Sequence, residues 1–124
     1  MANHNKPAQT EEEWRALLDG DDPSIVRSLE DWEQLLNDST RNPLKGVPPE
    51  AVEHFTKSLK FNRGGLAHAD YSELGKFLNF FQFRSLWRDQ FGMGDKLWID
   101  HNDFKCESPG TCSVAISKIC TSNC

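Results

Sequence analysis

From Trp14 to Phe91 the apolar residues recur at three- and four-residue spacings, which is the period of one helix face. Trp14, Leu17 and Leu18 follow Thr10 and the run Glu11-Glu12-Glu13. Thr10 can cap that helix, Glu13 stands where a capping box needs it, and the acidic first turn suits the positive end of the helix dipole. Gly20 is a natural stop. Asp22-Pro23 reads as the next start, with Ile25, Leu29, Trp32 and Leu36 on one face, running to about Asn37. A loop follows to Pro43, and Val47-Pro48-Pro49-Glu50 opens a third helix carrying Val52, Phe55 and Leu59. Asn62-Arg63-Gly64-Gly65 ends it. Asp70 then caps a long aromatic helix with Tyr71, Leu74, Phe77, Leu78, Phe81, Leu86, Trp87 and Phe91, stopped at Gly92. Gly75 inside it costs about 1 kcal/mol relative to Ala. Leu97-Trp98-Ile99 is a strand or a packing strip, and Asp100 to Asp103 a turn. The pattern predicts a mostly α protein: residues 1–9 disordered, a small four-helix body over 10–104, and an irregular Cys/Ser/Thr-rich tail over 105–124.

Composition narrows the function classes. The chain has 124 residues, room for one small domain, and 37% are hydrophobic. Its net charge of -5 argues against nucleic acid and against adsorption to an anionic membrane. No apolar run reaches the length of a membrane span. Met1 to Pro7 lacks the basic and then apolar build of a signal peptide, so a cytoplasmic start is expected. In that compartment four cysteines are expected to be free, metal-bound or modified rather than a disulfide framework. Neither a cofactor nor a resident metal is expected.

The cysteines change the picture most. Cys106, Cys112, Cys120 and Cys124 all fall at the C-terminus, interleaved with Ser108, Thr111, Ser113, Ser117, Thr121 and Ser122. A Ser or Thr that loses water becomes an electrophilic dehydro residue, and a nearby cysteine thiolate is a good nucleophile for its β-carbon. Short spacing makes that attack intramolecular. Ser117 with Cys120 and Thr121 with Cys124 repeat the spacing hydroxyl-x-x-Cys; Ser108 with Cys112 spans a Pro-Gly turn. Thr111, Ser113 and Ser122 are further dehydration candidates, and Cys106 is left as an unpaired thiol.

This tandem pair ending on the last residue resembles the C-terminus of lanthipeptide precursors, in particular the second component of two-peptide lantibiotics. The resemblance covers the last twenty residues. It implies a ribosomally made precursor: a leader-like body bound by a lanthionine synthetase-like enzyme, a tail closed into thioether rings, and a processing exporter that releases an antimicrobial-type peptide. The chain would be a substrate rather than an enzyme, cytoplasmic as precursor and exported after cleavage.

A competing expectation is a small helical binding or accessory protein, homodimeric through surplus aromatics such as Phe80 and Phe83, with a redox- or metal-sensitive cysteine tail. The bland forms of the tail are idle thiols or a small disulfide knot. For metal, His101 could join the cysteines, although no Cys-x-x-Cys is present. Phe61 to Tyr71 offers Gly64-Gly65, Arg63 and His68 as an anion loop, or His68, Asp70 and Tyr71 as an acid–base set. The plainer expectation there is a glycine turn with Asp70 as a cap. Asp19 to Asp22 and Asp100 to Asp103 look calcium-like but lack the full loop pattern and are expected to be turns.

Overall fold

The computed structural model describes residues 7–20 and 22–124. The disorder expected for residues 1–6, and Asp21 of the first calcium-like run, lie outside the described residues. Thr10 caps α1 (Glu11–Asp19), its side chain accepting from the Glu13 N–H at 3.1 Å. The chain then runs through a turn held by Arg27, whose guanidinium donates to the carbonyls of Leu17, Leu18, Gly20, Asp22 and Ile25. One cation thereby satisfies carbonyls at the end of α1 and along the connection. That connection takes up the stretch expected to be the first turns of the second helix. The second helix, α2 (Leu29–Asn37), instead starts at Ser28, which accepts from Asp31 N–H. Pro49 opens α3 (Pro49–Ser58) as its spacing implied.

Beyond α3 the mostly α expectation is corrected: the fold is mixed α/β. Among the described residues there are five α-helices and a four-stranded antiparallel sheet. β1 (Lys60–Asn62) and β2 (Gly65–Asp70) form a hairpin. Its turn is Arg63-Gly64, both with positive φ (55° and 76°), the conformation that matches strand twist in a two-residue hairpin. The expected long aromatic helix does not form. Asp70 ends β2, a single 3-10 turn spans Leu74–Lys76, and Asn79 opens a new short helix, α4 (Phe80–Ser85), through a capping box with Gln82. Asn79 competes for local backbone donors and so resets the helix where the hydrophobic period alone would continue it. A π-helical turn, Leu86–Gln90, follows α4. Leu97-Trp98-Ile99 lies in α5 (Asp95–His101), not in a strand.

The tail is not irregular. It forms β3 (Asn102–Ser108) and β4 (Thr111–Cys120), joined at Pro109-Gly110, where Gly110 takes φ 80°. The strand order is β1-β2-β4-β3, so the C-terminal strand is internal and pairs with neighbours on both sides. Ile119 is fully buried in the same core as the helices. That core is aromatic: Trp32 meets Phe55 edge-on at 5.5 Å and stacks on Phe91 at 5.7 Å, while Trp87 meets Phe83 at 5.5 Å. At the other end of the chain, Ala8 is buried and bridges Met93, with Ala8 N–H donating to the Gly92 carbonyl at 2.8 Å.

Gly65 marks the tightest joint between helix and sheet. A Cβ there would stand 2.4 Å from Leu18 Cδ1 and 2.7 Å from Asn123 Nδ2. Gly65→Ala must displace the buried side-chain ends of Leu18 and Asn123, and overpacking of this kind costs about 1–3 kcal/mol. Urea unfolding is expected to show that loss; a stability within about 0.5 kcal/mol of the parent would contradict the packing.

Candidate functional site: the four-cysteine cluster

The sheet gathers the cysteines in three steps. Cys106 and Cys112 lie opposite each other in the β3–β4 ladder, so their side chains share one face. Cys120 lies opposite His68 on β2. After Cys120 the chain turns back: Thr121 N–H donates to the Ala67 carbonyl at 3.0 Å, and the Cys124 carbonyl accepts from Gly110 N–H at 3.0 Å. That last bond sets Cys124 beside the hairpin tip.

The result is two disulfides, Cys106–Cys124 and Cys112–Cys120, with Cα separations of 5.7 and 5.9 Å. The two bonds adjoin. The Sγ atoms of Cys106, Cys120 and Cys124 all lie within 4.8 Å of one another. Cys120 is buried, Cys106 and Cys124 are half-buried, and Cys112 is exposed. Beside Cys106–Cys124 opens a shallow cleft of about 310 Å³, walled by Lys60, Phe61, Asn62 and Glu107. A larger cleft, about 610 Å³ between α2 and α3, is lined by Leu36, Leu44, Val47 and Val52, and its lining carries no cysteine or histidine.

His68 belongs to this cluster. Its Nδ1 accepts the Cys106 N–H at 3.1 Å, which assigns the ring proton of the neutral form to Nε2. Burial, then the positive charge of Lys60, hold its pKa below the ordinary imidazole value; Asp70 pulls the other way, and Lys118 adds the least. Asp70 is not a helix cap. It accepts from Ser72 N–H at 2.9 Å and pairs with Lys118 at 3.4 Å. Burial tends to raise its pKa, but the Ser72 hydrogen bonds and Lys118 outweigh that and leave it lowered. The Tyr71 hydroxyl bonds to Asn102, and burial, then the Asp103 charge, push it up to about 12. His68, Asp70 and Tyr71 thus each serve a separate partner rather than one acid–base set.

The other sequence candidates are placed as follows. Cys106, expected to be unpaired, is bonded to Cys124. Cys112, expected beside Ser108, is bonded to Cys120, while the Ser108 carbonyl lies 3.2 Å from Cys124 Sγ. Ser117 sits at a bend with φ 64°, its N–H donating to Asp103 and its carbonyl accepting from Tyr71 N–H. The Thr121 hydroxyl is buried, donating to the Leu66 carbonyl and accepting from Asn123 N–H. Ser113 Oγ is buried, whereas Thr111 and Ser122 are exposed. His101 is not brought to the cysteines; its Nε2 meets Glu11 at 2.5 Å. Arg63 forms the hairpin turn, and its carbonyl accepts from Arg15 at 2.6 Å. Sequence spacing had no means of joining His68 to Cys106 and Cys120, because only strand pairing brings them together.

The chain matches no protein-family model, no curated protein and no solved structure.

The lowered His68 pKa has a definite sign. The unfolded chain binds a proton here more readily than the folded one, so His68 stabilises the fold fully above its ordinary value of 6.5. That contribution is lost as pH falls through the folded value. Imidazole NMR is expected to show His68 neutral at pH values where an exposed histidine is already half-protonated. A midpoint at or above the ordinary value would contradict the burial and the acceptor role of Nδ1.

Proposed function

We propose that this chain is a small accessory domain without catalytic machinery, folded as one unit to its last residue, which self-associates through an aromatic patch. The observation that carries the first part is the burial of Ile119, Cys120, Thr121 and Asn123 within the sheet and core. A tail destined for dehydration and cleavage must be presented to two enzymes as an extended strand. Here that would mean pulling the internal strand out of the sheet. Disulfide closure of the hairpin fits a stapled domain better, since a crosslink over a loop of this length stabilises by about 3 kcal/mol.

The patch supports the second part. Phe77, Phe80 and Phe81 are 49%, 62% and 72% exposed, and the rings of Phe80 and Phe81 meet edge-on at 5.8 Å. Exposed aromatic groups of this size mark association surfaces. The bordering charges are already paired within the chain, Lys76 with Glu73 and Arg84 with Asp95. With those charges paired, the surface offers a partner chiefly apolar rings. A second copy of the same face meets that requirement, and an isologous dimer is the commonest assembly of identical chains. Phe83, also counted among the surplus aromatics in the sequence, packs inward against Tyr71 and Trp98 and takes no part.

Analytical ultracentrifugation of the full chain and of the Phe80→Asp/Phe81→Asp double variant tests this reading. The parent is expected to self-associate and the variant to be monomeric at the same concentration with an unchanged thermal melt. A parent that stays monomeric at high concentration, or a variant that still dimerises, would overturn it.

A further inference from the structure

We infer that the four cysteines form a redox-gated zinc site: two disulfides when oxidised, one closed four-thiolate zinc centre when reduced. The inference rests on the folded-domain reading, because thioether rings would consume the sulfurs it needs.

The geometry is nearly assembled. Tetrahedral zinc bound by four thiolates at about 2.3 Å sets its sulfurs roughly 3.8 Å apart. Three of the sulfurs here, those of Cys106, Cys120 and Cys124, already lie mutually within 4.8 Å, and the fourth, Cys112, is bonded to one of them. Cys112 is bonded to Cys120 and faces Cys106 across the ladder, so opening the S–S bonds leaves four thiols side by side. Backbone hydrogen bonds hold the cluster alongside the sulfur bonds. Cys106 and Cys112 are registered by the hairpin, Cys120 by β2, and Cys124 by Gly110 N–H.

The surroundings suit a metal centre of this kind. Four thiolates around Zn²⁺ carry a net charge of -2. Lys60 lines the cleft beside Cys106 and Cys124, opposite Glu107, and Lys118 is already paired with Asp70, so Lys60 is the cation placed to offset part of that charge. His68 accepts the Cys106 N–H and so fixes the backbone behind one ligand, as outer groups do around metal sites. With four sulfur ligands no position is left open for substrate, so the site is structural and regulatory rather than catalytic.

The chemistry balances. A dithiol reductant gives two electrons and two protons to each disulfide and becomes a disulfide itself, yielding four cysteine thiols. Zn²⁺ binding then releases those four protons. In the reverse direction two equivalents of peroxide accept four electrons from the thiolates and four protons from solvent, giving four waters; two S–S bonds re-form and Zn²⁺ leaves. The structural consequence of gating is local: the same hairpin is stapled by sulfur in one state and by metal in the other.

The test uses the full-length chain, reduced anaerobically, freed of reductant and titrated with Co²⁺ and then Zn²⁺. About one equivalent of Co²⁺ is expected to give the visible bands of a tetrahedral thiolate complex, displaced by Zn²⁺. Peroxide should then expel the zinc and restore the pairs Cys106–Cys124 and Cys112–Cys120 in a peptide map. Cys106→Ser and Cys120→Ser should each weaken Co²⁺ binding by at least about tenfold. Four free thiols without a thiolate–cobalt spectrum, or single variants that bind as the parent does, would overturn the site. Should the reduced chain unfold, recovery of its near-ultraviolet dichroism on adding Zn²⁺ supports the proposal, and no recovery overturns it. The mass of the reduced chain separates the two levels: a chain short of water with fewer than four thiols would remove the folded-domain reading itself.

Discussion

The structure depends on the insertion of β4 between β2 and β3. One face of that strand supplies Ile119 to the aromatic core, and its continuation ties the chain end to β2 through the Thr121 N–H and hydroxyl. Without β4 the β1–β2 hairpin stands alone, and a two-stranded ribbon is marginal in water. The helices alone are short: α1 and α2 have nine residues each and α4 six, below the length at which isolated helices persist. They hold because the sheet closes their aromatic faces.

The cysteine chemistry follows from the same insertion. Antiparallel pairing puts Cys106 against Cys112 and His68 against Cys120, and the returning terminus adds Cys124. The sulfurs are therefore held together by backbone hydrogen bonds as well as by the two disulfides. This double anchoring separates the present account from one in which the tail is a flexible substrate. It also explains why Thr121 is a poor dehydration candidate in the folded chain, since its hydroxyl is enclosed and bonded on both sides.

What the sequence made legible was local. Thr10, Pro49 and the Pro109-Gly110 turn each act within a few residues and lie at the boundaries their chemistry suggested, whereas Gly64 turns a β-hairpin rather than ending a helix and Glu13 accepts from the Gln9 N–H rather than completing a capping box with Thr10. What it hid was non-local or overridden. Gly65 to Asp70 is made of Gly, Leu, Ala, His and Asp, mostly poor strand formers, and it is a strand because two neighbours pair with it. The period from Tyr71 to Phe91 implies one helix, but Asn79 breaks it by capping a new one. Thr111 to Cys120 carries a strand signal, Val114 and Ile116 in alternation, within a segment whose composition is dominated by thiols and hydroxyls. The cysteine positions were visible, but their pairing was not, because Cys106 meets Cys124 only after the terminus folds back.

Residue-resolved hydrogen exchange tests the central claim most directly. The amides of Ile119 and Thr121 are expected to exchange as slowly as those of Trp32 and Phe55 in the helical core, through global unfolding alone. Exchange of the last six residues at the rate of an unstructured peptide, with the helices still protected, would show that the C-terminus is an appendage and would contradict the account.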